Sequence, residues 1–194
     1  YEHYTDDPEA DYESAVNYVK FMKEIGATYL NLQGVMWKEE PLDRPTDVEK
    51  IKMYAELSNR IGKLCKDNGC VAVFHPHACT PVYTEEQIDL LMELTDPDLR
   101  DVLGIHYKQE ALNLIGADAL AGMDPVKAYA KYLPRLGYVH LKDVDPDVTV
   151  HPEWPMKRFC ALGTGTVDFK GIVKALKAGG YDGVLCVELD NPKI

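Results

Sequence analysis

The stretch VAVFHPHACTPVYTEEQIDLLMELTDP, residues 71–97, contains an apolar run, two histidines and then an amphipathic segment. The run VAVFHPH (71–77) is short and apolar, which is typical of a buried β-strand. Thr84 and Gln87 have the spacing of a capping box and predict the start of a helix there. A strand followed directly by a helix is the repeating unit of an α/β fold.

The same alternation of strand and helix recurs along the chain. Helices are predicted from apolar side chains at helical spacing, and their ends from capping residues and glycines. The predicted helices cover 11–25, 46–69 with a capping box of Thr46 and Glu49, 84–94, 124–133 and 168–178. The predicted strands cover 28–33, 71–77, 102–107, 138–144 and 184–190. Such alternation predicts a parallel sheet covered by helices.

Polar side chains occupy the ends of three predicted strands, in the motifs HPH, HLKD and VELD. An open doubly wound sheet gathers ligands at one switch point, whereas a (β/α)₈ barrel opens every strand end on one mouth. We therefore prefer the TIM barrel. A complete barrel takes roughly 250 residues, so we expect one domain over 1–194 that lacks the first two βα units, missing before residue 1.

The composition restricts the partners. A formal charge of −11 repels phosphate backbones and anionic lipid surfaces, so neither nucleic acid nor a membrane is an expected partner. No apolar run reaches the roughly 20 residues of a membrane span. The five cysteines at positions 65, 70, 79, 160 and 186 show no C-x-x-C spacing. Cys65 and Cys186 fall in apolar segments, which predicts buried thiols and a cytoplasmic protein.

His75 and His77 are the first candidate functional residues. Residues two apart in a strand point the same way, so both imidazoles are expected on one face at a strand end. Each could instead be a core histidine paired with backbone. Two on one face, separated by Pro76, favour a functional role.

His140, Lys142 and Glu188 form the second group of candidates. Imidazole is a common ligand of divalent transition metals, and Lys142 on the same face can bind a substrate oxygen. Glu188 lies in an apolar strand, where a carboxylate needs a metal or a charged partner. We favour the metal, and the alternative is an ion pair with a lysine such as Lys142. GTGTVDF (163–169) is predicted as a flexible turn near the mouth of the barrel, not a nucleotide site.

Four motifs in order resemble the xylose-isomerase-like TIM barrel family of sugar isomerases and epimerases, in particular its inosose dehydratase branch. The four motifs are the opening stretch, ALAGMDPVKAYAKYLPRLGYVHLKDVDP, FCALGTGTVDF and GYDGVLCVELD. The resemblance implies an enzyme that removes a proton next to a carbonyl and forms an enediolate. Isomerisation, epimerisation and dehydration share this first step. A small-molecule sugar, ketose or inosose is the implied substrate.

The resemblance also implies a divalent cation, with manganese expected and magnesium, cobalt or zinc as alternatives. His140 and Glu188 match two of the family's metal ligands, and His77 falls where a strand-end ligand is expected. His75 and Lys142 would contact substrate. Glu188 is the candidate base, and His75 is the other candidate catalytic residue.

Two departures from the family pattern leave an alternative open. The family usually has a carboxylate at the position of Tyr83, and a D-T-G-H segment that is absent from 104–123. Asp118 is too close to Gly122 to replace the missing aspartate in simple register, and His106 or Glu110 could substitute only if the loop folds back. A catalytically inactive sugar-binding or scaffold relative fits these departures. An endonuclease of the related barrel family fits the negative charge poorly. Exposed strand edges would favour pairing with a second copy, so a homo-oligomer is a further expectation.

Overall fold

The structure is a computed structural model that describes residues 2–36, 45–77, 80–96, 103–108, 124–144 and 159–189. The chain divides into two compact units, Tyr1–His106 and Tyr107–Ile194. Each unit contains parallel strands and α-helices. Among the described residues, no helix combines the length and the apolar content that crossing a bilayer requires.

The first unit contains a parallel sheet in the order β1, β2, β3, β4. Its strands are β1 (Glu2–His3), β2 (Tyr29–Gln33), β3 (Val71–Phe74) and β4 (Leu103–Lys108), and its helices are α1 (Pro8–Ile25), α2 (Val48–Asp67) and α3 (Glu85–Leu94). In β2 the buried Leu30 and Leu32 alternate with the polar Asn31 and Gln33. β2 therefore has one apolar face and one polar face.

An aromatic cluster supports the carboxyl ends of these strands. The ring of Tyr4 lies 5.1 Å from that of Tyr54 and 6.1 Å from that of Phe74, measured between centroids. All three side chains are buried, and the Tyr4 hydroxyl lies 2.9 Å from Ser58 Oγ of α2. Buried aromatic pairs add about 0.5–1.5 kcal/mol beyond the area they bury. The cluster therefore packs the residue after β1 and the last residue of β3 against α2.

The second unit contains one parallel strand pair and one short antiparallel pair. Its helices are α4 (Pro125–Tyr132), which continues as a 3₁₀ turn at Leu133–Arg135, and α5 (Phe169–Ala178). Its strands are β5 (Tyr138–Leu141), β6 (Asp143–Val144), β7 (Phe159–Cys160) and β8 (Val184–Val187). β5 pairs with β8 in parallel, with His140 opposite Cys186, and β6 pairs with β7.

The helix starts partly follow the predictions. Asp124, which precedes Pro125, and Asp168 each cap a helix as expected. The two aspartate carboxylates accept backbone N–H groups of the first turn. The predicted cap at Thr46 is wrong, because Asp47 accepts the Lys50 N–H at 3.0 Å. α1 starts at Pro8, three residues before the predicted start, since the Asp7 carboxylate accepts two N–H groups there.

The predicted capping box of α3 is confirmed. Thr84 Oγ1 accepts the Gln87 N–H, and Gln87 Oε1 accepts the N–H groups of both Tyr83 and Thr84 at 3.0 Å. Gln87 is buried, so water cannot easily replace these bonds.

Removing this cap is expected to weaken the first unit. Thr84→Ala should lower the free energy of unfolding by about 1 kcal/mol, the usual loss for an N-cap hydroxyl. Thr84→Ser keeps the hydroxyl and is the matched control. Urea denaturation of both variants provides the measurement, and equal stability of Thr84→Ala and wild type would contradict it.

The cysteines partly follow the prediction. Cys65 and Cys70 are buried free thiols, and the Cys70 thiol donates to the Cys65 carbonyl at 3.4 Å. Burial raises the pKa of the Cys65 thiol well above its usual range, so this thiol stays protonated. Cys186 is only partly buried, which corrects the expectation, because β8 is exposed along much of its length. Cys79 lies outside the described residues.

Candidate functional site

His75 and His77 lie in the segment that directly follows β3. The strand ends at Phe74, so the predicted strand over 71–77 is three residues too long. Pro76 offers no N–H for a further ladder bond, which favours the end of the strand here. The last ladder bond is the His75 N–H to the Leu32 carbonyl at 2.7 Å.

The two imidazoles lie side by side and are buried. Their ring centroids are 5.3 Å apart with the planes nearly perpendicular, at 88°. His75 is 1% exposed and His77 is 6% exposed. The His77 N–H donates to the Val82 carbonyl at 3.1 Å, and the hydroxyl of Thr80 donates to the His77 carbonyl at 2.7 Å. The segment leading to α3 therefore holds the backbone of His77 in place.

In the second unit, Glu188 contacts both of the other candidate residues. Its Oε2 lies 2.7 Å from His140 Nδ1, and its Oε1 lies 3.3 Å from Lys142 Nζ. The pairing of β5 with β8 explains this arrangement. The Glu188 N–H donates to the Leu141 carbonyl at 2.9 Å, which continues the ladder and places Glu188 beside His140 and Lys142.

Lys142 is a buried cation. It is 1% exposed, and its ammonium lies 4.1 Å from the centroid of the Phe159 ring. A buried ammonium is costly unless an opposite charge and favourable contacts compensate for lost hydration. Glu188 provides the charge, and the aromatic face adds a cation–π contact. The ion-pair alternative considered for Glu188 is therefore present in the structure.

His140 and Glu188 together offer two donor atoms to a metal ion. Donor atoms bound tetrahedrally to one ion at about 2.0–2.2 Å lie roughly 3.4 Å apart, so the 2.7 Å between Nδ1 and Oε2 is the distance of an ion pair, which a bound ion would widen. Imidazole and carboxylate are also suitable donors for such ions. These two residues fit a divalent cation in the kind of donor atom that they offer. Within the described part of the chain, no three His, Cys, Asp or Glu residues group into a metal site.

Sequence reasoning missed the role of Asp143. This residue is fully buried, and its carboxylate accepts the N–H groups of Gly163 at 2.8 Å, Gly165 at 2.8 Å and Val167 at 3.1 Å. The segment over 163–167, predicted as a flexible turn, is therefore anchored at three points by the residue that follows Lys142 in sequence. An aspartate adjoining the HLK motif and a glycine-spaced G-T-G-T run were the available signals.

Of the two departures from the family pattern, the structure describes Tyr83 but not most of the region expected to carry D-T-G-H. Tyr83 is 3% exposed, and its backbone N–H donates to Gln87 Oε1. A buried aromatic side chain thus occupies the position where the family usually has a carboxylate. The region expected to carry D-T-G-H lies largely outside the described residues, as do the side chains of His106, Glu110 and Asp118. Asp190 is likewise outside them.

His75 and His77 belong to one compact unit, and His140, Lys142 and Glu188 to the other. The meeting of His77 with His140 and Glu188 around a shared cation stays a prediction.

Comparison with known proteins identifies the family. The sequence profile of the xylose isomerase-like TIM barrel matches residues 3–193. The chain belongs to this family. The α/β TIM barrel predicted from the alternating elements is thereby confirmed.

The curated relatives of this xylose isomerase-like chain include inosose dehydratases. This chain is 34% identical over 152 residues to the inosose dehydratase of Clostridium tetani, and the match covers 74% of this chain and 48% of the relative. The inosose dehydratase of Geobacillus kaustophilus is 36% identical over 163 residues, covering 79% and 50%. The chain thus spans about half the length of the curated relatives it matches.

Solved structures with the same fold include the IolI protein with a bound zinc atom. It has a TM-score of 0.69 at 16% identity, covering 98% of this chain and 64% of that chain. A Mycobacterium smegmatis family member in complex with magnesium has a TM-score of 0.66 at 19% identity, covering 95% and 62%. At these identities the likeness supports the fold alone.

Proposed function

We propose that this chain belongs to an enzyme that removes the proton next to the carbonyl of a polyhydroxylated ketone, with dehydration of an inosose-type ring as the favoured outcome. The observation that carries the proposal is the Glu188 carboxylate between His140 and the buried Lys142. Similarity to inosose dehydratases supports the substrate class. Isomerisation and epimerisation start with the same proton transfer.

The proposed steps use residues of the second unit. The carboxylate of Glu188, in contact with His140 and Lys142, is the group placed to accept the proton. As the C–H bond breaks, its electron pair forms a C=C bond and the carbonyl electrons move to oxygen. The Lys142 ammonium stabilises the resulting enediolate oxygen. In dehydration the carbonyl re-forms, the C=C electrons shift to make a double bond to the β-carbon, and the β-hydroxyl leaves as water with the proton that Glu188 had accepted. Return of that proton to carbon gives an isomer or epimer instead.

We also propose a divalent cation, with manganese as the expected ion, held by His140 and Glu188. When bound, such a cation polarises the substrate carbonyl as a Lewis acid. His77 as a further ligand, and His75 as a substrate contact and second catalytic residue, follow from the family resemblance.

Added metal is expected to stabilise the protein. At a Mn²⁺ concentration of 100 times Kd, binding adds about 2.7 kcal/mol, which raises Tm by roughly 5–10 °C for a chain of this size. His140→Gln should remove most of that rise, while Glu56→Gln, on the exposed face of α2, should keep it. Thermal unfolding with Mn²⁺, Mg²⁺, Co²⁺ and Zn²⁺ is the measurement. A Tm unaffected by all four ions would contradict the proposal.

A second candidate is a sugar-binding relative without catalytic activity, favoured by the buried Tyr83 at the family's carboxylate position. The two candidates differ in one measurable step. The enzyme should exchange the proton beside the substrate carbonyl with deuterium in heavy water, which NMR detects even when no product accumulates. Binding of an inosose without any exchange would instead establish the inactive relative.

We propose a cytoplasmic location and association with a second copy of the chain. The buried free thiols of Cys65 and Cys70 suit a reducing compartment. The exposed apolar side chains of Leu185 and Val187 on β8 suit a protein contact, since exposed apolar strand surface favours association.

A further inference from the structure

Two amide side chains on β2 contain buried atoms that no hydrogen bond satisfies. These atoms are Asn31 Oδ1 and Gln33 Nε2, and neither finds a partner within the described part of the chain. Gln33 is 3% exposed, and Asn31 is half-buried. A buried polar group left in this state costs about 1–3 kcal/mol. Such a cost at the end of a strand suggests a role outside folding.

The strand register places these amides on the face that carries the histidines. His3 of β1 is opposite Gln33, and Asn31 is opposite Val73 of β3. The ladder bond from the His75 N–H to the Leu32 carbonyl extends that register, so Gln33 and His75 share a face.

The backbone directly after Gln33 is held rigidly. The Val35 N–H donates to the hydroxyl oxygen of the buried Tyr54 at 3.0 Å. A Cβ added at Gly34 would lie 2.8 Å from Tyr54 Cε2 and 3.2 Å from Pro81 Cδ. Only glycine lets the chain pass so close to the ring. The backbone that carries Gln33 is therefore fixed before any ligand arrives, which suits a recognition residue.

We propose that Gln33 and Asn31 bind neighbouring oxygens of a polyhydroxylated ligand, with Gln33 donating through Nε2 and Asn31 accepting through Oδ1. An amide pair offers both donors and acceptors, which matches hydroxyl groups on adjacent carbons. This inference rests on the proposed function, because it takes the chemical class of the ligand, a polyhydroxylated ketone, from that proposal. A buried amide that loses its ligand oxygen is left unsatisfied, which gives discrimination against deoxy analogues.

The test compares Gln33→Met with wild type in binding and in stability. Methionine keeps the length of the side chain and removes its hydrogen-bonding groups. Calorimetric titration with an inosose should show affinity about tenfold weaker, equivalent to one lost hydrogen bond. Wild type should bind one monodeoxy inosose equally weakly, and the variant should no longer distinguish it from the parent. Tm should be equal to or above wild type, because an unsatisfied buried amide has been removed. Asn17→Met, an exposed amide on α1, is the control.

The other possible results of these measurements each support or overturn the inference. Unchanged affinity in Gln33→Met overturns the inference and leaves the proposed function intact. A wild-type protein that binds no inosose overturns both. If Gln33→Met does not fold, Gln33→Asn retracts the same amide by one methylene. Weaker binding by Gln33→Asn at wild-type Tm supports the inference, and unchanged binding overturns it.

Discussion

Replacing Glu188 with glutamine is expected to lower kcat/KM by about 10²–10⁴-fold, because the variant loses the group proposed to accept the substrate proton. Glutamine has nearly the same shape but cannot act as a base at neutral pH. The rate of exchange of the substrate C–H proton with solvent should fall by a similar factor. Steady-state kinetics and NMR in heavy water measure the two effects independently.

The same substitution leaves the buried ammonium of Lys142 without its carboxylate, so stability must be followed as well. Glu188→Asp keeps the negative charge and moves the carboxylate back by one methylene. It should retain more stability than Glu188→Gln while still losing most of the activity, since proton transfer depends on position. Glu56→Gln removes one exposed carboxylate and should change neither property. Activity of Glu188→Gln within about threefold of wild type would exclude Glu188 as the base.

Replacing Asp143 with alanine is expected to lower the free energy of unfolding by about 3 kcal/mol and Tm by roughly 6–12 °C. Three backbone N–H groups lose an ionised acceptor together, and hydrogen bonds to charged groups are each worth about 1.5–3 kcal/mol. The N–H groups are partly accessible, so water recovers some of this loss.

Asp143→Asn is the graded control, since its amide oxygen can still accept part of the set. Its stability should fall between those of wild type and Asp143→Ala in denaturant unfolding. If Asp143→Ala stays within about 0.5 kcal/mol of wild type, as most surface substitutions do, the anchoring role is wrong.

The elements of the fold were predictable where local chemistry decides them. The hydrogen bonds of the capping box of Thr84 and Gln87 are all made within one helical turn. Asp124, which precedes Pro125, likewise caps its helix by bonds to the adjacent turn. The cap at Asp47 was misplaced by one residue, because two neighbouring side chains could both serve and only the backbone geometry chose between them. The end of β3 at Phe74 likewise depended on which ladder bonds the neighbouring strand could offer.

The sequence alone determined the residue types of the candidate site and their two-residue spacing at strand ends, because side-chain alternation in a strand is a local property. Only the tertiary structure decided which of these side chains contact one another. The pairing of β5 with β8 brings Glu188 to His140 and Lys142 across more than forty positions of sequence. The anchoring of 163–167 by Asp143 and the unsatisfied amide of Gln33 depend in the same way on strand register and burial. Both are properties of packing between distant segments, and no local pattern encodes them.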